Sequence, residues 1–276
     1  MPGHCPDGAL ALAFRPPTKS LGGPGLGARV QICGRVVVQI DGRRVETGLP
    51  GRQGPLLLVY LAANRDRPVS RDELIEALWP YAMPSSAPAA LTVLLSKLRA
   101  TVGREVLRGR RDVTLALPPA ARVDVEDALA GVHAAESAVA LGEWRRAWGP
   151  ACCALLVAAR RLLPEHEAPW IDDWRRRLDD VLDHALEAYA AACLGIGGTE
   201  LAGAERAARR LVEHSPLRES GYRLLMDTLS AQGNVAEAMR VYDRARSTLR
   251  EELGLPPGPA IQEAHARLLG RAPTSG

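Results

Sequence analysis

Residues 91–103 read LTVLLSKLRATVG. Leu91, Leu95, Leu98 and Val102 recur at helical spacing on one stripe, with Thr92, Ser96, Lys97 and Arg99 around the remainder. The pattern predicts a helix with one buried face. Whether the other face is merely wet or touches something depends on its flanks. Upstream, RPVSRDELIEALWP (67–80) offers Ser70 as an N-cap with Glu73 three residues on, a capping box. Leu74, Ile75, Leu78 and Trp79 supply that helix's buried side, and Pro80 stops it. Ser86 is placed to cap the next helix, Pro88 is tolerated in its first turn, and Gly103 ends it. Downstream, EVLRGRRDVTLAL (105–117) has two β-prone arms around Gly109, with Val113, Leu115 and Leu117 alternating.

Further out, VQICGRVVVQIDGRRVETG (30–48) is rich in β-branched residues around a DGRR turn and predicts a hairpin or small meander. GRQGPLLLVYLAAN (51–64) predicts an apolar helix ending at Asn64. LPPAARVD (117–124) reads as a linker. Sheet, helix, capped helix, helix and Gly-centred hairpin is the order of a winged helix-turn-helix, whose third helix enters the DNA major groove. Base edges require short or hydrogen-bonding side chains there, and Ala89, Thr92, Val93, Ser96, Lys97 and Ala100 meet that demand. Arg108, Arg110 and Arg111 cluster at the tip of the hairpin, where a wing meets phosphates or a minor groove.

Charge divides the chain in the same way. Residues 29–120 hold 14 Arg and Lys against 8 Asp and Glu, a net of +6, whereas residues 121–270 hold 18 against 23, a net of −5. Two domains with different partners account for that asymmetry. Residues 1–28 contain 6 Gly and 5 Pro, too many for a packed core, and predict a disordered leader. GGPGLG at 22–27 lacks the spacing of a dinucleotide-binding loop.

After Asp124 nearly everything to Gly254 reads as helix, with short breaks near Gly142, Leu163–Pro169, Gly195–Thr199, Ser215–Pro216 and Gly233. Ala204, Ala208, Leu211 and Pro216 recur 34 positions later as Ala238, Tyr242, Ala245 and Arg250. Tyr222, Leu225, Leu229 and Gly233 fall between them at the spacing of a tetratricopeptide repeat, with only the terminal Pro replaced.

Signs of other chemistry are few. The five Cys are odd in number and form no CxxC, so no disulfide framework or zinc site is expected, and a reducing cytoplasm fits. No run of about 18 apolar residues is present to span a membrane. No P-loop or nucleophile elbow occurs. Asp180 and His184 lie at i, i+4, but no third metal ligand accompanies them. DDWRRRLDD (172–180) predicts a solvated helix face or a surface between the domains.

DGRRVETGLPGRQGPLLLVYLAANRDRPVSRDELIEALWP and the later LSKLR resemble the SARP-type activators of actinobacteria (Streptomyces antibiotic regulatory proteins), which carry an OmpR-type winged helix. LLPEHEAPWIDDWRRRL, and the run from AERAARRLVEHSPLRESGY to REELGLPPGP, resemble their bacterial transcriptional activator domain, a tetratricopeptide-like bundle. The resemblance covers about residues 30–270. It implies binding to promoter direct repeats and recruitment of RNA polymerase. By position it assigns Thr92, Val93, Ser96 and Lys97 to base edges, and Arg52, Arg71, Arg99 and the wing arginines to phosphates. Two departures are Ala100, where many relatives carry a basic residue, and a wing without the usual Gly- and Tyr-containing turn.

The expected fold is mostly α with small β: a winged helix over 29–120, a helical tetratricopeptide-like domain over 121–270 and a tail over 271–276. The expected function is sequence-specific transcription regulation in the cytoplasm, without enzymatic activity, cofactor or metal. Double-stranded DNA, RNA polymerase and a second copy in a homodimer are the expected partners. The rival reading is a tetratricopeptide scaffold whose winged helix does not bind DNA.

Overall fold

The computed structural model describes residues 27–271. The leader expected over 1–28, with its GGPGLG run, and the tail over 271–276 fall outside them except at their inner ends. Three strands open the described chain as an antiparallel meander: β1 (Arg29–Gln31), β2 (Val37–Ile40) and β3 (Arg43–Arg44). Asp41 and Gly42 turn β2 into β3, both at positive φ (50° and 78°), as short hairpin turns require. Then come α1 (Gln53–Ala63), β4 (Val69–Ser70), α2 (Arg71–Leu78), α3 (Ala87–Val102), β5 (Leu107–Arg108) and β6 (Asp112–Leu115). A final strand, β7 (Arg122–Val123), runs parallel to β1. The first sheet is thus ordered β3-β2-β1-β7, and the second β4-β6-β5.

Local chemistry explains most of these boundaries. Ser70 Oγ accepts the Glu73 N–H at 3.2 Å and starts α2. The Glu73 carboxylate is held by Arg67 and by the Tyr60 hydroxyl at 2.6 Å, and Arg67 above all keeps it below the usual carboxylate range. Ser86 departs from expectation: it sits at the N-cap position of α3 but makes no side-chain cap. The LPPAARVD stretch is more than a linker, because its Val123 is fully buried and pairs with Val30.

Seven helices follow among the described residues: α4 (Asp124–Ala140), α5 (Trp144–Ala158), α6 (Pro169–Ile196), α7 (Leu201–His214), α8 (Glu219–Ala231), α9 (Val235–Leu253) and α10 (Pro259–Arg271). Successive helices pack on one another as hairpins. Where α4, α5 and α6 meet, alanines form two small layers, Ala135–Ala151–Ala188 and Ala138–Ala147–Ala192, so the helices approach closely. The repeat positions Ala204, Ala208, Leu211, Tyr222, Leu229, Ala238 and Ala245 are all fully buried. Arg250, standing where the first repeat has Pro216, lies inside α9. Without the proline that helix runs on to Leu253 and ends at left-handed Gly254. Helix α10, past the Gly254 where the continuous helical pattern ends but within the helical domain expected over 121–270, buries Ile261, Ala264 and Leu268 in the same core. No helix among the described residues is long and apolar enough to cross a membrane.

The two parts share packing. The core around Leu57, Leu61, Leu74, Leu91, Leu95 and Leu98 is completed by Leu162, Leu163, Ile171 and Leu178 from the α5–α6 connection and α6. Trp170 and Tyr60 pack edge to face, centroids 4.9 Å apart, and Trp170 donates Nε1–H to the Ala77 carbonyl at 3.0 Å. Arg65 forms a bidentate pair with Glu126. Asp124, the first residue of α4, accepts the Ile32 N–H at 2.9 Å and the Cys33 N–H at 3.1 Å. Burial pushes its carboxyl above the usual range despite these donors and Arg160, and pushes the Cys33 thiol up to about 12.

Asp124→Ala would leave two buried backbone donors unpaired, at about 1–3 kcal/mol each. Thermal or denaturant unfolding is expected to show a loss of that order. An unchanged melting temperature would contradict this role for Asp124.

Candidate nucleic-acid interface

Helix α3 is divided lengthwise. Ala87, Leu91, Leu94, Leu95, Leu98 and Val102 face the core. Ala89, Thr92, Val93, Ser96, Lys97 and Ala100 face outwards. Val93 is 54% exposed, an apolar side chain on a helix whose buried stripe is already complete. Thr101 anchors the C-terminal end by donating to the Gly48 carbonyl at 2.8 Å.

The arginines expected at phosphates differ in what they touch. Arg71, at the start of α2, donates Nη2–H to Thr92 Oγ1 at 2.5 Å and to the Pro88 carbonyl at 3.2 Å. It thereby ties α2 to the first turns of α3. Arg99 is half-buried and reaches under the wing, donating to the Leu107 carbonyl at 3.2 Å and to the Gly109 carbonyl. Arg108 donates Nε–H to the Glu105 carbonyl at 2.8 Å. Lys97, Arg110 and Arg111 are exposed and, among the described residues, make no side-chain hydrogen bond or ion pair. Arg52 lies elsewhere. Its contacts are with the α5–α6 connection, Nη2–H to the Glu165 carbonyl at 3.4 Å and its own carbonyl 3.1 Å from His166 Nε2.

The wing is the β5–β6 hairpin, with Arg108 opposite Thr114. Gly109 turns at φ +87°, and a Cβ there would lie 1.8 Å from the Asp112 carbonyl oxygen, so only glycine fits. Burial, and after it the charges of Arg71, Arg104 and Arg110, hold the Arg99 guanidinium below its ordinary pKa. None of these four arginines forms an ion pair among the described residues. Arg104 was not singled out from sequence; its position directly after Gly103, at the end of α3 and before the wing, was the available signal.

The second part holds other charge groupings. His184 Nδ1 lies 2.5 Å from Glu136 Oε1, and that pairing accounts for the histidine. The DDWRRRLDD stretch borders the junction between the parts: Arg175 donates to the carbonyls of Leu162, Leu163 and His166, while Arg176 pairs with Asp173 on the surface.

Comparison with known proteins places both parts. The model of the bacterial transcriptional activator domain matches residues 123–269, and that of the transcriptional regulatory protein C-terminal domain matches residues 52–111. The transcriptional regulatory protein EmbR of Mycobacterium tuberculosis is 29% identical over 265 residues, covering 88% of this chain and 63% of its own length. The regulatory protein AfsR of Streptomyces coelicolor is 33% identical over 252 residues, covering 89% of this chain and 24% of its own. A solved structure of M. tuberculosis EmbR in complex with a low-affinity phosphopeptide superposes with a TM-score of 0.76 at 26% identity, covering 90% of this chain and 66% of that one. The chain thus spans less than two thirds of EmbR's full length and about a quarter of AfsR's.

The two faces of α3 should respond differently to truncation. Leu95→Ala removes a fully buried branched side chain and is expected to cost about 2–5 kcal/mol of stability. Lys97→Ala is expected to stay within about 0.5 kcal/mol. Equal losses in a paired melting experiment would contradict the division.

Proposed function

The chain belongs to the bacterial transcriptional activator domain family of regulators, and from that premise we propose that it binds duplex DNA sequence-specifically. In this reading α3 lies in the major groove. Val93, Ser96 and Lys97 face base edges together with Thr92, and the wing lies along the backbone. The observation that carries it is the set of exposed cations without carboxylate partners, Lys97 on the outward strip of α3 and Arg110 and Arg111 in the wing. Like charges held together without carboxylate partners cost energy in the free protein, and phosphates relieve that cost.

The arginines divide the work. Arg110 and Arg111, exposed and without partners, meet phosphates directly. Arg108 does so from the wing while its Nε–H remains on the Glu105 carbonyl. Arg99 holds the wing against α3 and adds charge from beneath. Arg52, engaged with the α5–α6 connection, contributes to the junction more than to the DNA contact. The helical part is proposed as the platform for RNA polymerase and for a second copy of the chain. Occupation of promoter direct repeats by two such copies in the cytoplasm would produce activation.

The rival reading, a helical scaffold with an inert winged helix, draws on Ala100, exposed and uncharged where the family resemblance implies a basic residue. The salt dependence of binding separates the two. Each phosphate neutralised contributes a slope of about −0.9 to log affinity against log salt. Arg110→Ala and Arg104→Ala are each expected to weaken binding to every duplex and to flatten that slope by about one contact. No binding to any duplex in a random pool at low salt would leave the scaffold reading.

A further inference from the structure

We infer that the first turns of α3 recognise thymine by its 5-methyl group, so that the preferred duplex carries thymines facing Thr92 and Val93. The inference rests on the DNA-binding reading and names the base chemistry that surface takes. Its starting point is the Thr92 hydroxyl. A threonine hydroxyl has one proton and two lone pairs. Here the proton goes to the Pro88 carbonyl at 2.8 Å, and Arg71 Nη2 donates to the oxygen at 2.5 Å. Thr92 therefore has no donor left to offer a base, and its oxygen is crowded by a guanidinium. One lone pair is left on that oxygen, and the apolar group Thr92 can offer a base is its γ-methyl. Arg71 acts as a positioning residue, fixing which side of Thr92 is presented.

The neighbours have the same character. Val93, 54% exposed, presents an isopropyl group, and Ala89 and Ala100 present methyls. Of the outward residues on this strip only Ser96 and Lys97 keep free hydrogen-bond donors. In the major groove the four base-pair orientations differ in their donors and acceptors, and thymine alone adds an apolar marker, the C5 methyl. A surface of methyl groups without donors cannot pair with guanine O6 and N7 or adenine N7, but it can bury that methyl. Lys97, one turn further on, retains three donors, so guanine fits the adjoining position.

The experiment uses the full chain and a duplex selected from a random pool. Each thymine of the selected site is replaced in turn by uracil, which removes the 5-methyl group and leaves every hydrogen-bonding atom in place. Two positions per site are expected to weaken about fourfold on replacement, the value of one buried methyl each. Thr92→Val, which keeps the methyl and discards the hydroxyl, should retain the thymine-over-uracil ratio at its position. Thr92→Ser and Val93→Ser should each bring the ratio to one at a single thymine while the other is unaffected. A ratio of one at every thymine in the wild-type protein, or ratios unmoved by both serine variants, would overturn the inference while DNA binding stands. Absence of any preferred duplex would remove the DNA-binding reading itself, and the inference with it. Because the uracil series needs no variant, it is informative even if a substituted chain fails to fold.

Discussion

A largely buried carboxylate joins the two parts of this protein. Asp124 begins α4 and accepts the backbone N–H groups of Ile32 and Cys33 just past β1. Its own helix, the end of the first sheet and Arg160 of the α5–α6 connection meet at that point. Removing such a group from water is costly unless its lone pairs are occupied, and burial raises its carboxyl above the usual range although Ile32, Cys33 and Arg160 oppose the shift. Around it Leu162, Leu163 and Ile171 close the core of the winged helix, and Trp170 fixes α6 to α2 through the Ala77 carbonyl. The helical part therefore supplies apolar surface that the small first part lacks. The orientation of α3 relative to the helical platform follows from this shared packing, with no flexible tether between them.

Given that frame, α3 acts as both strut and reading surface. Its buried stripe is rigid because it is part of the core, which leaves the opposite stripe with little conformational freedom to lose on binding. The arginines around it do not act alike. Arg99 and Arg71 use their donors within the protein, one on the wing and one on Thr92, whereas Lys97, Arg110 and Arg111 keep theirs free. A count of cations from the sequence therefore overstates the number available to phosphates, although the field of the bound ones still contributes.

Much of the fold was legible from residues alone, for physical reasons. The stripe of Leu91, Leu95, Leu98 and Val102, the Ser70 cap and the Gly109 turn are local signals. Each depends on neighbours within a few positions. The 34-residue spacing that relates Ala204 to Ala238 and Leu211 to Ala245 was legible because small side chains let helices approach closely where they cross. Strands β4 and β7 were not, since two residues carry no alternation and their pairing partners are distant in sequence. The place of Arg52 was hidden for the same reason, as its partners Glu165 and His166 are more than a hundred residues away. Helix α10 carries a stripe in Ile261, Ala264 and Leu268, but Pro256 and Pro257 interrupt the helical pattern just before it and Pro259 opens it. Whether a cation faces outwards or braces a loop is a matter of tertiary contact, and no local pattern distinguishes Arg99 from Arg110.

The central claim, that the outward stripe of α3 occupies the major groove of duplex DNA, is tested most directly by dimethyl sulfate protection of a selected duplex bound by the full chain. The reagent methylates guanine at N7 in the major groove and adenine at N3 in the minor groove. Protection of guanine N7, lost at one position when Lys97 is replaced by alanine, is the expected result. Saturating occupancy with every guanine N7 still reactive would contradict the placement of α3.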